Sequence, residues 1–211
     1  TSSATAVQVA AGTVLDSSAV HSISLEVDEA ALAAMLRTYL DSGDREWLSA
    51  TLTVDGATYE NVGIKLKGNS SLRGISTDTP AQDLPWRIRT DKFSDGQTVD
   101  GYSDLVVRSN SSETSMNEAV ALDLLGAAGL ATEKSVATRF SVNGSEEVLR
   151  LTMQNLDETW LEENFDDDAS SGSVLYKADA EGDWSWRGDD GAAYAEAFDV
   201  EAGAEDYAPL V

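Results

Sequence analysis

A chain of 211 residues, 42% of them hydrophobic and 7% aromatic, is long enough to bury a sizeable core and too apolar for a disordered polypeptide. Its 38 acidic against 14 basic residues give a formal charge of −24, so its average field repels nucleic acid and anionic membrane, and neither is an expected partner. Without cysteine it has no disulfides, thiolate metal sites or thiol nucleophiles.

Residues 1–19 are mostly small and polar and predict a flexible leader before one domain over 20–211. No apolar run approaches the roughly 18 residues of a membrane helix, so no membrane insertion is expected. Residues 20–27 (VHSISLEV) alternate as a strand does and carry His21, the one histidine, which reads as structural. Asp28 suits an N-cap and Gly43 a stop, with Leu32, Met35, Leu36, Tyr39 and Leu40 at helical spacing as one apolar face. Residues 47–54 and 58–67 flank Asp55-Gly56, a hairpin signal.

A polar loop follows over 67–79, then short strands at 85–90 and 105–108 separated by Asp95-Gly96 and Asp100-Gly101 turns. Ser115 is placed to cap a helix, with Glu118 at the capping-box position and Gly129 as terminator. Met116, Ala119, Val120, Leu124 and Ala127 predict its buried stripe. Strands at 135–142 and 148–153 meet at Asn143-Gly144, Asp157 caps a short helix, and 173–177 is a last strand. Beyond Lys177 the chain is rich in Gly, Ala, Asp and Glu, with apolar anchors at Trp184, Trp186, Tyr194, Phe198 and Tyr207 and a helix near 191–198. The pattern predicts an α+β domain: a mixed or antiparallel sheet of hairpins with a few packed helices.

Three constellations bear on chemistry. In Lys65-Leu66-Lys67-Gly68-Asn69-Ser70-Ser71, alternation puts both lysines on one side of a strand, followed by an amide- and hydroxyl-rich turn suited to a phosphate. The plain alternative is an exposed hairpin arm. In Pro85-Trp86-Arg87-Ile88-Arg89 the two arginines share a face; beside the lysines they would form a basic pocket, or they pair with surface carboxylates. The acidic runs at 166–168 and 179–183 have carboxylates that could wrap calcium. Trp184 stands where an EF-type loop needs glycine, so a solvated acidic loop is the plainer reading. Asn-x-Ser sequons at Asn69, Asn110 and Asn143 read as turn residues.

Taken in order, the run from Val62 to Ser71 resembles the VGIR-x-(R/K)GNSS signature of the spore coat protein H family of CotH-like kinases. Pro85-Trp86-Arg87-Ile88, Asp100-Gly101-Tyr102, the helix ending at Gly129, Val142-Asn143-Gly144, Gln154-Asn155-Leu156-Asp157 and Leu175-Tyr176-Lys177 resemble later pieces of the same family, in the same order. The resemblance implies part of an atypical protein-kinase-like fold. It also implies ATP and Mg²⁺ as cofactors, a protein substrate or cell-surface partner, and a secreted or cell-surface location. Lys67, Arg87 and Lys177 would approach the phosphates. Gln154 stands where the family has a glutamate, and Arg87 where it has a lysine. The family's metal-binding and catalytic aspartates lie in later motifs that this sequence does not carry. The expectation is therefore the N-terminal, nucleotide-facing part of a Ser/Thr kinase domain, inactive alone; the rival is a non-enzymatic surface-interaction module.

Overall fold

The computed structural model describes residues 13–109, 113–165, 173–179 and 183–211. Two compact units divide the chain, residues 1–154 and 155–211.

In the first unit seven strands close into a barrel in the order β1-β2-β3-β4-β5-β7-β6. They are β1 (His21–Val27), β2 (Leu48–Val54), β3 (Ala57–Leu66), β4 (Trp86–Arg89), β5 (Asp104–Val107), β6 (Ser135–Val142) and β7 (Val148–Gln154). Every pair is antiparallel except β1 with β6, whose parallel register closes the ring. The expected α+β sheet of hairpins is present, and the closure makes it a mixed barrel.

The tight hairpins form where the backbone can turn left-handed. Asp55 and Gly56 have φ +49° and +88°, and Asn143 and Gly144 +51° and +68°, the paired positive values that hairpin turns need. Asn143 also extends the β1–β6 ladder: Oδ1 accepts from the Val27 amide at 2.8 Å and Nδ2 donates to the Val27 carbonyl at 2.9 Å.

One irregularity sets the faces of β3. Ala50 pairs with Val62 but Leu52 with Tyr59, so β3 carries one extra residue, with Asn61 at φ +55°. Beyond this bulge Val62, Ile64 and Leu66 point into the barrel and are fully buried. Gly63, Lys65 and Lys67 therefore face out. Trp86, Ile88, Leu105, Val107, Phe140, Ile23, Leu25 and Leu52 complete the interior. Val14 and Leu15, within the segment expected to be leader, are buried in the same core.

Helix α1 (Glu29–Ser42) starts where the Asp28 carboxylate accepts from the Ala31 amide at 2.8 Å and ends at Gly43, φ +82°. Met35 and Leu36 are buried, with Leu32 and Tyr39 packed on the core, whereas Leu40 faces out. Helix α2 (Asn117–Ala127) departs from expectation. Ser115 adopts φ +57° and does not cap it; Met116 is the N-cap, without a side-chain bond. The helix buries no residue: Val120 and Leu124 are 62% and 69% exposed. Apolar residues surround it on several sides, so spacing alone could not say which face would pack.

The second unit holds α3 (Glu158–Asn164), capped by the Asp157 carboxylate on the Trp160 amide, and an antiparallel pair, β8 (Val174–Ala178) with β9 (Phe198–Gly203). The helix expected near 191–198 is a short 3-10 turn (Gly191–Tyr194) leading into β9. Tyr194, Ala197 and Phe198 form its small core, flanked by Tyr176, Tyr207 and Leu210. Trp184 and Trp186, expected as anchors, are exposed. No described helix is long and apolar enough to cross a membrane.

Candidate functional site

The end of β3 opens into a cleft lined by Lys67, the turn at 68–71, Pro85, Val106, Arg108, Ser109 and Glu118. The strand is held open-ended by its neighbour: the Lys67 amide donates to the Pro85 carbonyl at 3.1 Å, the last bond before β4 begins. The chain then reverses at Gly68, φ +120°, where a Cβ would lie 1.9 Å from Ser71 Oγ. Only glycine lets the Ser71 hydroxyl fold back over the strand end. Among the described residues no acceptor takes the Gly68 or Asn69 amide. Residues 70–72 form a 3-10 turn anchored by the buried Leu72.

The opposite wall comes from β5 and α2. Arg108 Nη2 donates to Glu118 Oε1 at 2.6 Å and its Nε points to Met153 Sδ at 3.1 Å, so the guanidinium is oriented while still 37% exposed. The cleft thus gathers a lysine, an oriented arginine, three serine hydroxyls and two backbone amides, a donor set that fits a phosphate chain. Sequence reasoning assigned Glu118 to a cap and overlooked Arg108, which directly follows the apolar run Leu105-Val106-Val107; a cation at the end of a buried strand was the available signal.

Arg87 lies on the same outward face as Lys67, directly across from Lys65, but does not line the cleft. Its Nε donates to both oxygens of Asp104 at 3.0 Å, and Asp104 is 4% exposed. Gln154 lies opposite Leu105 on β5 and so shares the barrel-interior face, buried, with its backbone N–H donating to the Lys134 carbonyl at 3.0 Å. Lys177 belongs to the second unit, on β8, exposed and paired with Glu201. The structure therefore joins Lys67 with Arg108 and Glu118 in one cleft, and Arg87 with Lys65 and Asp104 beside it.

His21 is fully buried, with Nδ1 2.6 Å from Asp55 Oδ2 and Nε2 3.0 Å from the Asp16 carbonyl. It ties the first hairpin turn to the chain's entry into the barrel. Arg150 is likewise structural: from the barrel's inner face its Nε donates to the Gln82 carbonyl at 2.9 Å and its Nη2 pairs with Asp83.

The acidic run at 166–168 lies outside the described residues, as do Glu181 and its neighbours. Among the described residues no group of three or more His, Asp or Glu is gathered to hold a metal ion.

The chain is thus a seven-stranded α+β barrel with a basic, amide-lined cleft at a strand end. A family model described as CotH kinase protein matches residues 64–210. The chain belongs to the CotH kinase family. None of the curated proteins compared matches it.

Proposed function

We propose that the cleft at the end of β3 takes the phosphates of ATP, and that the chain is the nucleotide-facing part of a CotH-type Ser/Thr protein kinase. The observation that carries this is the meeting of Lys67, Arg108 and the turn at 68–71 in one cleft. Bound ATP would supply the phosphoryl group for transfer to a protein hydroxyl. Lys67 would meet the phosphates as a compact charge and Arg108 as a planar fork held in place by Glu118. The Gly68 and Asn69 amides would donate to the remaining oxygens. The family relationship and the barrel support a kinase-like half-fold. A secreted or cell-surface location and a protein substrate belong to the same proposal. Transfer by these 211 residues alone is not expected.

The test is calorimetric titration of the full chain with ATP, with and without Mg²⁺. Saturable binding that Lys67→Ala and Arg108→Ala each weaken by about tenfold or more supports the reading. Binding untouched by both changes, or no binding, overturns it. The exposed apolar residues of α2 favour the rival, a surface-interaction module, which the second result would leave standing.

A further inference from the structure

A second group of cations stands on the outer face of β2, β3 and β4, away from the residues that line the cleft. Its centre is the indole of Trp47, just before β2. Lys65 Nζ lies 4.6 Å from the ring centroid, Lys92 Nζ 5.3 Å and the Arg87 guanidinium carbon 5.8 Å. Three elements of the chain thus converge on one ring, and the charge of Arg45 is also felt at Lys65.

The convergence is built into the backbone. At Gly63 a Cβ would lie 2.4 Å from Lys92 Cβ and 3.1 Å from the Trp47 ring. The outer face of β3 is bare there, which lets the Lys92 stem and the indole close onto the strand. An indole face is the best uncharged surface on which to hold ammonium groups together.

The counter-charge is incomplete. Asp104 is turned onto Arg87 with both oxygens. Among the described residues neither Lys65 nor Lys92 has a carboxylate within salt-bridge distance. In a chain with 38 acidic residues, most stretches of surface could offer a partner. Burial first, and then the charge of Arg87, depress the Lys65 ammonium below its usual range, as expected for a cation crowded by others. An anion placed among them would relieve that crowding.

The geometry points to an oxyanion site at Lys65, Lys92, Arg87 and Trp47 that takes a dianionic phosphoryl group, free or carried on a phosphorylated side chain. Trp47 and Gly63 precede the stretch that matches the family, whereas Lys65, Arg87 and Lys92 lie within it. Lys and Arg together give point-charge and forked contacts to the same tetrahedral anion. The site does not depend on the nucleotide reading of the neighbouring cleft, and the two can fail separately.

The test is a titration of the full chain with inorganic phosphate at constant ionic strength, following the Trp47 indole N–H and the Gly68 amide by NMR as separate local reporters. The expected result is a saturable Trp47 shift that chloride does not reproduce and that persists in Lys67→Ala. Lys65→Met and Lys92→Met should each weaken it by about tenfold. Lys92→Arg should restore most of it, which guards against a merely misfolded variant. A phosphoserine peptide binding more tightly than phosphate identifies a phosphorylated polypeptide as the source; the reverse identifies free phosphate. A Trp47 shift that chloride reproduces or that does not saturate, or equal affinity in the Lys→Met variants, overturns the proposal. Loss of the Trp47 and Gly68 responses together in Lys67→Ala overturns it too, by making the patch an arm of the cleft.

Discussion

Asp104 is the most committed carboxylate on the outer face of the barrel: 4% exposed, with the Arg87 guanidinium across both oxygens. Removing one member of such a pair strands the other. Asp104→Ala should cost about 2 kcal/mol or more in urea unfolding, with Arg87's partial exposure keeping the loss below that of a fully buried pair. Lys65, across the ladder from Arg87, carries a different signature. Its ammonium is depressed by burial and by Arg87, Arg45 and Lys92, against the pull of Asp104. The folded chain therefore holds this proton less tightly than the unfolded chain, whose lysine titrates near 10.4. The charged form costs stability at neutral pH, and the cost is lifted as pH rises through the depressed value towards the unfolded one. Unfolding wild type and Lys65→Met side by side cancels the other titrations. Wild type should gain on the variant between neutral pH and about pH 10. A constant gap would show that Lys65 is not depressed.

Among the elements, the turn between β6 and β7 does more than reverse the chain. The Asn143 side chain exchanges two hydrogen bonds with the Val27 backbone, carrying the parallel β1–β6 pairing one step past the strands themselves. Asn143→Ala, with φ +51° to maintain as well, should cost about 2 kcal/mol. Asn143→Gly, which relaxes the backbone but still lacks the amide, should recover only part of that. Thermal unfolding of the two variants separates strain from hydrogen bonding. The same turn illustrates what is legible from residues alone. Asn143-Gly144 and Asp55-Gly56 announce hairpins because so few residue types accept their dihedrals. The caps at Asp28 and Asp157 are equally local and equally readable. Helix α2 is not: its C-terminal end follows from Gly129, but burial depends on what lies opposite, which no spacing encodes. The pairing of Arg108 with Glu118 escaped notice for the same reason, since ten residues separate partners that meet only when β5 and α2 are in place. Lys67 was legible because the cation and its glycine turn are contiguous; Trp47, twenty residues earlier, was not.

At the scale of the whole molecule, a charge of −24 acts on every carboxylate at once. Self-repulsion of this kind weakens the compact state and is screened by ions. Raising sodium chloride from about 0.05 M to about 0.5 M, which shortens the screening length to a few ångströms, should raise the melting temperature by several degrees. A chain indifferent to salt would show that its charges are already locally balanced. Closure of the sheet is the other whole-molecule property, and composition gives no hint of it. The pairing of His21–Val27 with Ser135–Val142 joins segments more than a hundred residues apart, in parallel, where no turn signal can mark it. That contact leaves the first unit without a bare strand edge.

The extra residue in β3 has a consequence for how this strand can change over generations. Asn61 shifts the alternation by one step, and from Val62 to Lys67 every inward and outward assignment depends on that step. A substitution there is a graded event, felt at one position. Loss of Asn61 would only remove the bulge, but a one-residue deletion at Gly63 is an error of phase: it would turn Lys65 and Lys67 into the barrel and present Ile64 and Leu66 to water, undoing the core and both basic sites in a single step. The number of residues in this strand is therefore under tighter constraint than the identity of most of them, and any lineage that gained or lost one here would need a compensating shift before the next lysine.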